Sequence, residues 1–314
     1  MQKKTKHIII GIIVTIGVLF IGMVGACFYF YNMAFIPGHK AFVSAPTPLK
    51  PGTPFYEERK WYADCPKQTW YQTTPDGYRL DAYYIPAAHP TNKTAIVQHG
   101  YMQNKKEMGA YAAMFHQMGY NVLLPDLRDL GDSQGNFIGY GWPDRKDMVR
   151  WADEIVHKNG QNSQIVMFGI SMGAATMAMA SGEANLPEQV KAFVVDSPYT
   201  SVEGEIEYQA MQMFHIPYWP LFPVFEQVVK FKTGYNLKTM STLAQVKKDT
   251  RPMLYIVGKA DTFIPPKDTL ELYHATKAPK ELLEIPHAKH VKSYQVDPQK
   301  YQSTINNFLN KYVH

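Results

Sequence analysis

Ile165-Val166-Met167-Phe168-Gly169-Ile170-Ser171-Met172-Gly173-Ala174-Ala175-Thr176-Met177-Ala178 reads as a buried strand that turns through one serine into a helix of small residues. The apolar run ends on Gly-x-Ser-x-Gly, the strand, tight turn and helix of a nucleophile elbow. Such a turn is strained and crowded, so a side chain at Gly169 or Gly173 would strike the neighbouring strand or helix. The same turn lifts Ser171 into the open at the end of its strand. A serine that only capped a helix would account for neither glycine.

On both sides of the elbow, short apolar runs alternate with helical patterns. The runs cover 94–98, 121–125, 164–169, 192–196, 253–258 and 282–285, and the helical patterns cover 107–118, 147–159, 172–181, 267–276 and 301–312. Residues 70–85 alternate β-formers around Pro75-Asp76-Gly77, the chemistry of a hairpin turn. This order predicts an α/β fold with a mostly parallel central sheet flanked by helices, in which ligands sit at the carboxyl ends of the strands.

A serine hydroxyl is a poor nucleophile until a base takes its proton, so an acid and then a histidine should follow it in the chain. Asp261, in Gly258-Lys259-Ala260-Asp261-Thr262-Phe263-Ile264-Pro265, leaves the run 253–258 at its carboxyl end and is the expected acid. Asp196, which ends the run 192–196, is its rival. Pro286-His287-Ala288-Lys289-His290-Val291 offers two histidines. His290 is the expected base, because its extra residues of loop let it lean over the serine, and His287 is left to the surface or to support. A tetrahedral intermediate needs donors fixed in advance for its oxyanion. The N–H groups of Met172 and of Tyr101, in Gln98-His99-Gly100-Tyr101, are the expected pair. His99 is read as support for that turn.

The alternation breaks at 203–248, which reads as a small helical cap rich in Met211, Phe214, Trp219 and Phe222. Two readings compete for these side chains. They are the core of an extra helix pair, or they line an acyl pocket over the strand ends and contact substrate.

Residues 8–31 run IIIGIIVTIGVLFIGMVGACFYFY without a charge, and about 20 apolar residues suffice for a transmembrane helix. The run exceeds the roughly 7 to 15 apolar residues of a cleaved signal peptide. Val24-Gly25-Ala26-Cys27 loosely resembles a lipoprotein processing site, yet Phe28-Tyr29-Phe30-Tyr31 continues the apolar segment. The reading adopted is an uncleaved single-pass anchor in the cell membrane. Lys3, Lys4 and Lys6 precede it and the next basic residue is Lys40, which places the N-terminus in the cytoplasm and the domain outside. Pro37, Pro46, Pro48, Pro51, Pro54 and Pro66 suggest an extended stalk. The expected divisions are a cytoplasmic tip and anchor (1–31), the stalk (32–67) and the α/β domain (68–314). With 46% hydrophobic residues, a net charge of +5 and no basic stripe, the chain is expected to fold and not to bind nucleic acid. Its two cysteines, one in the apolar run and one in a polar segment, set aside a disulfide framework and zinc fingers.

Taken together, Gly169 to Gly173, His99-Gly100, Asp126-Leu127-Arg128, the Asp261 loop and His290 resemble the α/β-hydrolase superfamily over roughly residues 68–314. Within it the chain is similar to bacterial serine hydrolases with an N-terminal membrane segment. The resemblance implies a small-molecule acyl ester or thioester substrate, with no cofactor and no metal. Where relatives commonly read Arg-Gly-His-Gly after the fourth strand, this chain has Arg128-Asp129-Leu130-Gly131-Asp132-Ser133, which bears on substrate preference and leaves the triad untouched. Three functions follow as expectations: a carboxylesterase working through an acyl-enzyme; a lipase, thioesterase or peptidase with the same triad; and a membrane-anchored binding protein without turnover.

Overall fold

The computed structural model describes every residue except Met1, Ala41, Phe42 and Ser44, with side chains from Lys4 onward. Lys3, one of the three lysines in the orientation argument, therefore lies outside the described side chains, and Met1, Ala41, Phe42 and Ser44 fall within the expected anchor and stalk.

In chain order the elements are α1 (Gln2–Phe35), α2 (Tyr56–Asp64), β1 (Gln68–Thr73), β2 (Arg79–Ile85), β3 (Lys93–Gln98), α3 (Gly109–Gln117), β4 (Asn121–Pro125) and α4 (Asp144–Asn159). There follow β5 (Gln164–Ile170), α5 (Met172–Ala180), β6 (Val190–Asp196), α6 (Val202–Phe214), α7 (Leu221–Thr233) and α8 (Thr242–Val246). The chain closes with β7 (Met253–Gly258), α9 (Pro266–Ala275), β8 (Lys280–Ile285), α10 (Ser293–Val296) and α11 (Pro298–Leu309). The eight strands form one sheet in the order β1-β2-β4-β3-β5-β6-β7-β8. β2 runs antiparallel to both of its neighbours and all other pairs are parallel.

Both faces of the central strands are covered, which is why they read as unbroken apolar runs. Along β5, successive side chains enter opposite layers. Met167 packs with Trp151, Met177 and Phe193 under α4 and α5, while Phe168 packs with Tyr111, Phe115 and Phe308 under α3 and α11. α11 begins three residues before the apolar periodicity does, because Asp297 caps it by accepting from the Lys300 N–H at 3.0 Å.

The N-terminal third departs from expectation. α1 does not end at residue 31 but runs to Phe35, and the segment 32–67 is not a free extended stalk. The prolines leave an uninterrupted stretch from 55 to 65, and α2 forms there. Its Tyr62 is buried against Gly109, where an added Cβ would lie 2.9 Å from the ring, and its hydroxyl donates to the Lys105 carbonyl at 2.8 Å. Phe55 stacks on Tyr294 with ring centroids 4.2 Å apart. Aromatic burial thus ties this segment back onto the domain.

A buried charge cluster pins the loop after β3 to the loop after β4. The Lys105 ammonium is fully buried and contacts Asp126, with Asp81 and Asp132 each at 2.8 Å. The Lys105 N–H also donates to the Asp126 carboxylate at 2.6 Å. Removing the cation leaves the carboxylate of Asp126 buried and uncompensated, a change that costs about 3–5 kcal/mol. Lys105→Met should therefore lower the denaturant midpoint severely, whereas Asp132→Asn, at the half-exposed edge, should be mild. A Lys105→Met midpoint equal to wild type would show that the cluster contributes nothing to stability.

Candidate active site

β5 delivers Ser171 into a turn with φ 53° and ψ −124°, a conformation that L-residues rarely adopt. The space on either side is closed. A Cβ at Gly169 would collide with the Gly173 carbonyl, and one at Gly173 with the carbonyls of Gln98 and His99. The Ser171 N–H donates to the Asp196 carbonyl at 2.8 Å, tying the elbow to the neighbouring strand.

Ser171 Oγ lies 2.8 Å from His290 Nε2, and His290 Nδ1 lies 2.8 Å from Asp261 Oδ2. The other oxygen of Asp261 accepts two backbone N–H groups, from Phe263 and Ile264, each at 2.9 Å. That grip aims Oδ2 at the imidazole, while the Phe263 ring packs on the histidine with centroids 4.9 Å apart. A hydroxyl bonded to an imidazole, which is oriented in turn by a buried carboxylate, is an arrangement able to move a proton off the serine.

The rivals are engaged elsewhere. Asp196 is buried at the end of β6, where its two oxygens accept from the hydroxyls of Ser197 and Tyr301, each at 2.9 Å. Burial pushes its carboxyl up to about 6. His287 is exposed. His99 is fully buried, with Nε2 accepting from the Leu127 N–H at 3.1 Å and Nδ1 2.9 Å from the Gly100 carbonyl, and burial lowers its pKa.

The turn 99–101 passes beside the serine. A Cβ at Gly100 would lie 3.4 Å from Ser171 Cβ, and the side chain of Gln103, which the sequence did not single out, fixes the turn by accepting from the Gly100 N–H at 3.0 Å. Tyr101 follows directly. Met172 opens α5, where first-turn N–H groups have no partner within the helix.

An apolar cavity of about 900 Å³, counting its open mouth, rises from Ser171 and Met172 between the strand ends and the cap. Of the four cap residues expected to contact substrate, Phe214 and Phe222 line it. Met211 and Trp219 do not. Met211, on α6, is 41% exposed, and Trp219, in the connection to α7, is 73% exposed. The opposite wall comes from α1, from Phe30 of the expected anchor and from Met33 and Ala34, which the sequence reading placed in the stalk. The signal was the aromatic run that continues past the length a membrane span requires.

Glu205 is the one acidic residue lining this cavity among the described residues. Its Oε1 accepts from Gln209 at 2.8 Å, its Oε2 has no hydrogen-bond partner among the described residues, and burial pushes its carboxyl up to about 8.

The family described as serine aminopeptidase, S33, matches residues 89–238. The uncharacterized protein YqkD of Bacillus subtilis (strain 168) is 30% identical over 233 residues, 74% of this chain and 76% of that one. The uncharacterized protein YfhR of Escherichia coli (strain K12) is 27% identical over 251 residues, 76% of this chain and 80% of that one. Among solved structures, the Pyrococcus furiosus esterase Pf2001 superimposes with a TM-score of 0.67 at 21% identity, covering 90% of this chain and 100% of that one. Porphyromonas gingivalis dipeptidyl peptidase 4 does so with a TM-score of 0.62 at 17% identity, over 79% of this chain and 36% of that one. A chain with this sheet order, and with this likeness to YqkD over 74% of its length, belongs to the α/β-hydrolase superfamily.

Proposed function

We propose that the protein is a serine esterase, with Ser171 as nucleophile, His290 as general base and acid, and Asp261 as the carboxylate that orients the imidazole. The chain of two 2.8 Å hydrogen bonds at the foot of an apolar cavity carries this reading. Ser171 Oγ attacks the acyl carbon while His290 Nε2 takes its proton, and the N–H groups of Tyr101 and Met172 receive the oxyanion. The tetrahedral intermediate expels the alcohol, which leaves with the proton from His290. Water then attacks the acyl-enzyme, gives its proton to the same nitrogen, and releases the acid and the free serine.

The name of the matching family and the dipeptidyl peptidase neighbour raise amide hydrolysis as the other use of such a triad. The cavity favours the ester. A free amino terminus needs an anionic partner, and burial pushes the carboxyl on the cavity wall, Glu205, up to about 8, away from its charged form.

α1 is read as a single-pass membrane anchor, being long and apolar enough to cross a bilayer. With Lys4 and Lys6 on the cytoplasmic side, the domain faces outward. Protease added to intact cells expressing the full chain should then digest the domain, and a domain protected until the cells are lysed would reverse the orientation.

A fluorophosphonate probe should label the wild type and leave Ser171→Ala unlabelled. Asp261→Asn should cost on the order of 10⁴ in kcat if the triad follows the serine-protease pattern, and His290→Ala should be comparably severe. Asp196→Asn and His287→Ala should be mild in the same p-nitrophenyl ester assay. Crippling by Asp196→Asn with normal turnover in Asp261→Asn would transfer the acid's role to Asp196.

Glu205 supplies a pH test of the cavity. Its carboxyl ordinarily titrates near 4.5 and in the fold at about 8, so the folded state binds a proton that the unfolded chain releases between these values. The stability this group permits is full below pH 4.5, declines as pH rises, and is at its lowest above about 8. Glu205→Gln, which cannot ionise, should therefore raise Tm more at pH 8.5 than at pH 4.5 (roughly the two ends of that window). An equal change at the two pH values would mean that Glu205 is not buried as described.

A further inference from the structure

We infer that the cavity is loaded from the bilayer: the substrate is the ester of a membrane amphiphile whose acyl chain passes between α1 and the cap to reach Ser171. The inference rests on the esterase and membrane-anchor readings above and goes beyond them, because it joins the two into one device.

The length of α1 carries the argument. Its apolar segment begins at Ile8, and every residue from Ile8 to Gly22 is exposed. At about 1.5 Å per residue this free portion spans roughly 22 Å, short of the hydrocarbon core of about 30 Å. The remaining distance takes the helix to about Cys27, and Cys27 is already docked on the cap, with its Sγ 3.8 Å from the Leu221 carbonyl. The rim of the cap therefore stands at the edge of the hydrocarbon. Trp219, which is 73% exposed and two residues before Leu221, occupies that level, where tryptophan is preferred in membrane proteins. One helical turn further out, the Lys232 ammonium lies 5.7 Å from the Tyr31 ring centroid, at headgroup height. Its neighbour Phe231 is 80% exposed on the same helix.

The cavity begins at this boundary. Phe30 is less than one helical turn beyond Cys27, lines the cavity, and packs on Phe214 of the cap with ring centroids 5.5 Å apart. Met33 and Ala34 continue the wall inward. The end of α1 is held by the domain itself: the hydroxyls of Tyr101 and Tyr140 donate to the Ala34 carbonyl at 2.9 and 3.0 Å, and the Ile138 N–H donates to that of Phe35 at 2.7 Å. These are terminal helix carbonyls that lack partners within the helix, so the anchor is fastened to the pocket and not hinged away from it. An acyl chain leaving the bilayer along α1 meets apolar side chains continuously as far as Ser171.

The test uses the full-length protein in phosphatidylcholine vesicles. Lipids brominated in their acyl chains should quench a component of the tryptophan fluorescence of the wild type, and Trp219→Phe should abolish that component. Equal quenching in the two proteins would place the cap outside the bilayer and overturn the inference. In the same vesicles, Met33→Trp, which fills the cavity from the α1 side, should lower the ratio of kcat/KM for a palmitoyl ester to that for an acetate ester by about tenfold or more. Hydrolysis of acetate with an unchanged ratio overturns this inference alone. Hydrolysis of neither ester by the wild type overturns the esterase reading beneath it and this inference with it.

Discussion

Everything in the site hangs on the backbone at Ser171. A residue held at φ 53° and ψ −124° is strained, at a cost of order 1–3 kcal/mol, and it persists because its surroundings permit no other path. The Gly173 carbonyl closes the space at Gly169, the carbonyls of Gln98 and His99 close the space at Gly173, and the Asp196 carbonyl holds the Ser171 N–H. The core stabilises this geometry from both sides, because β5 is buried on both faces between two helical layers. With the elbow fixed, the serine hydroxyl points to the one region that the loops after β3, β7 and β8 can all reach.

Two buried aspartates near that point show how surroundings divide labour between identical groups. Asp261 spends one oxygen on two backbone N–H groups and keeps the other for His290. Asp196 has each oxygen taken by a hydroxyl, and its own backbone carbonyl supports the elbow. The first keeps an oxygen aimed at the imidazole. The second is a strut, and burial raises its pKa despite the hydrogen bonds from Ser197 and Tyr301.

The N-terminal helix packs against the candidate site. Tyr101 caps the end of α1 with its side chain, while its backbone belongs to the turn beside Ser171. A single residue thus couples the end of α1 to the position proposed for the oxyanion. α1 and the candidate site are one packed unit, and the aromatic rings of Phe30 and Phe35 extend the domain core into the helix.

By itself the sequence determined the α/β alternation, the elbow, and the loops that hold Asp261 and His290. Each of these rests on local rules: strand and helix periodicity, glycine where backbones touch, and polar residues just past strand ends. β4 and β7 were legible to the residue because fully buried runs of five or six residues between loops have sharp boundaries. Tertiary structure alone decided what depends on contacts between distant segments. It set Phe214 against Phe30 at the cavity and left Met211 and Trp219 off it, since the placement of cap side chains is set by packing and not by composition. It folded α2 back onto α3 through Tyr62, where proline content had suggested an extended stalk. It also made Phe30, Met33 and Ala34 a cavity wall, because an apolar helix face suits lipid and a protein pocket equally well, and only the partner it meets tells them apart.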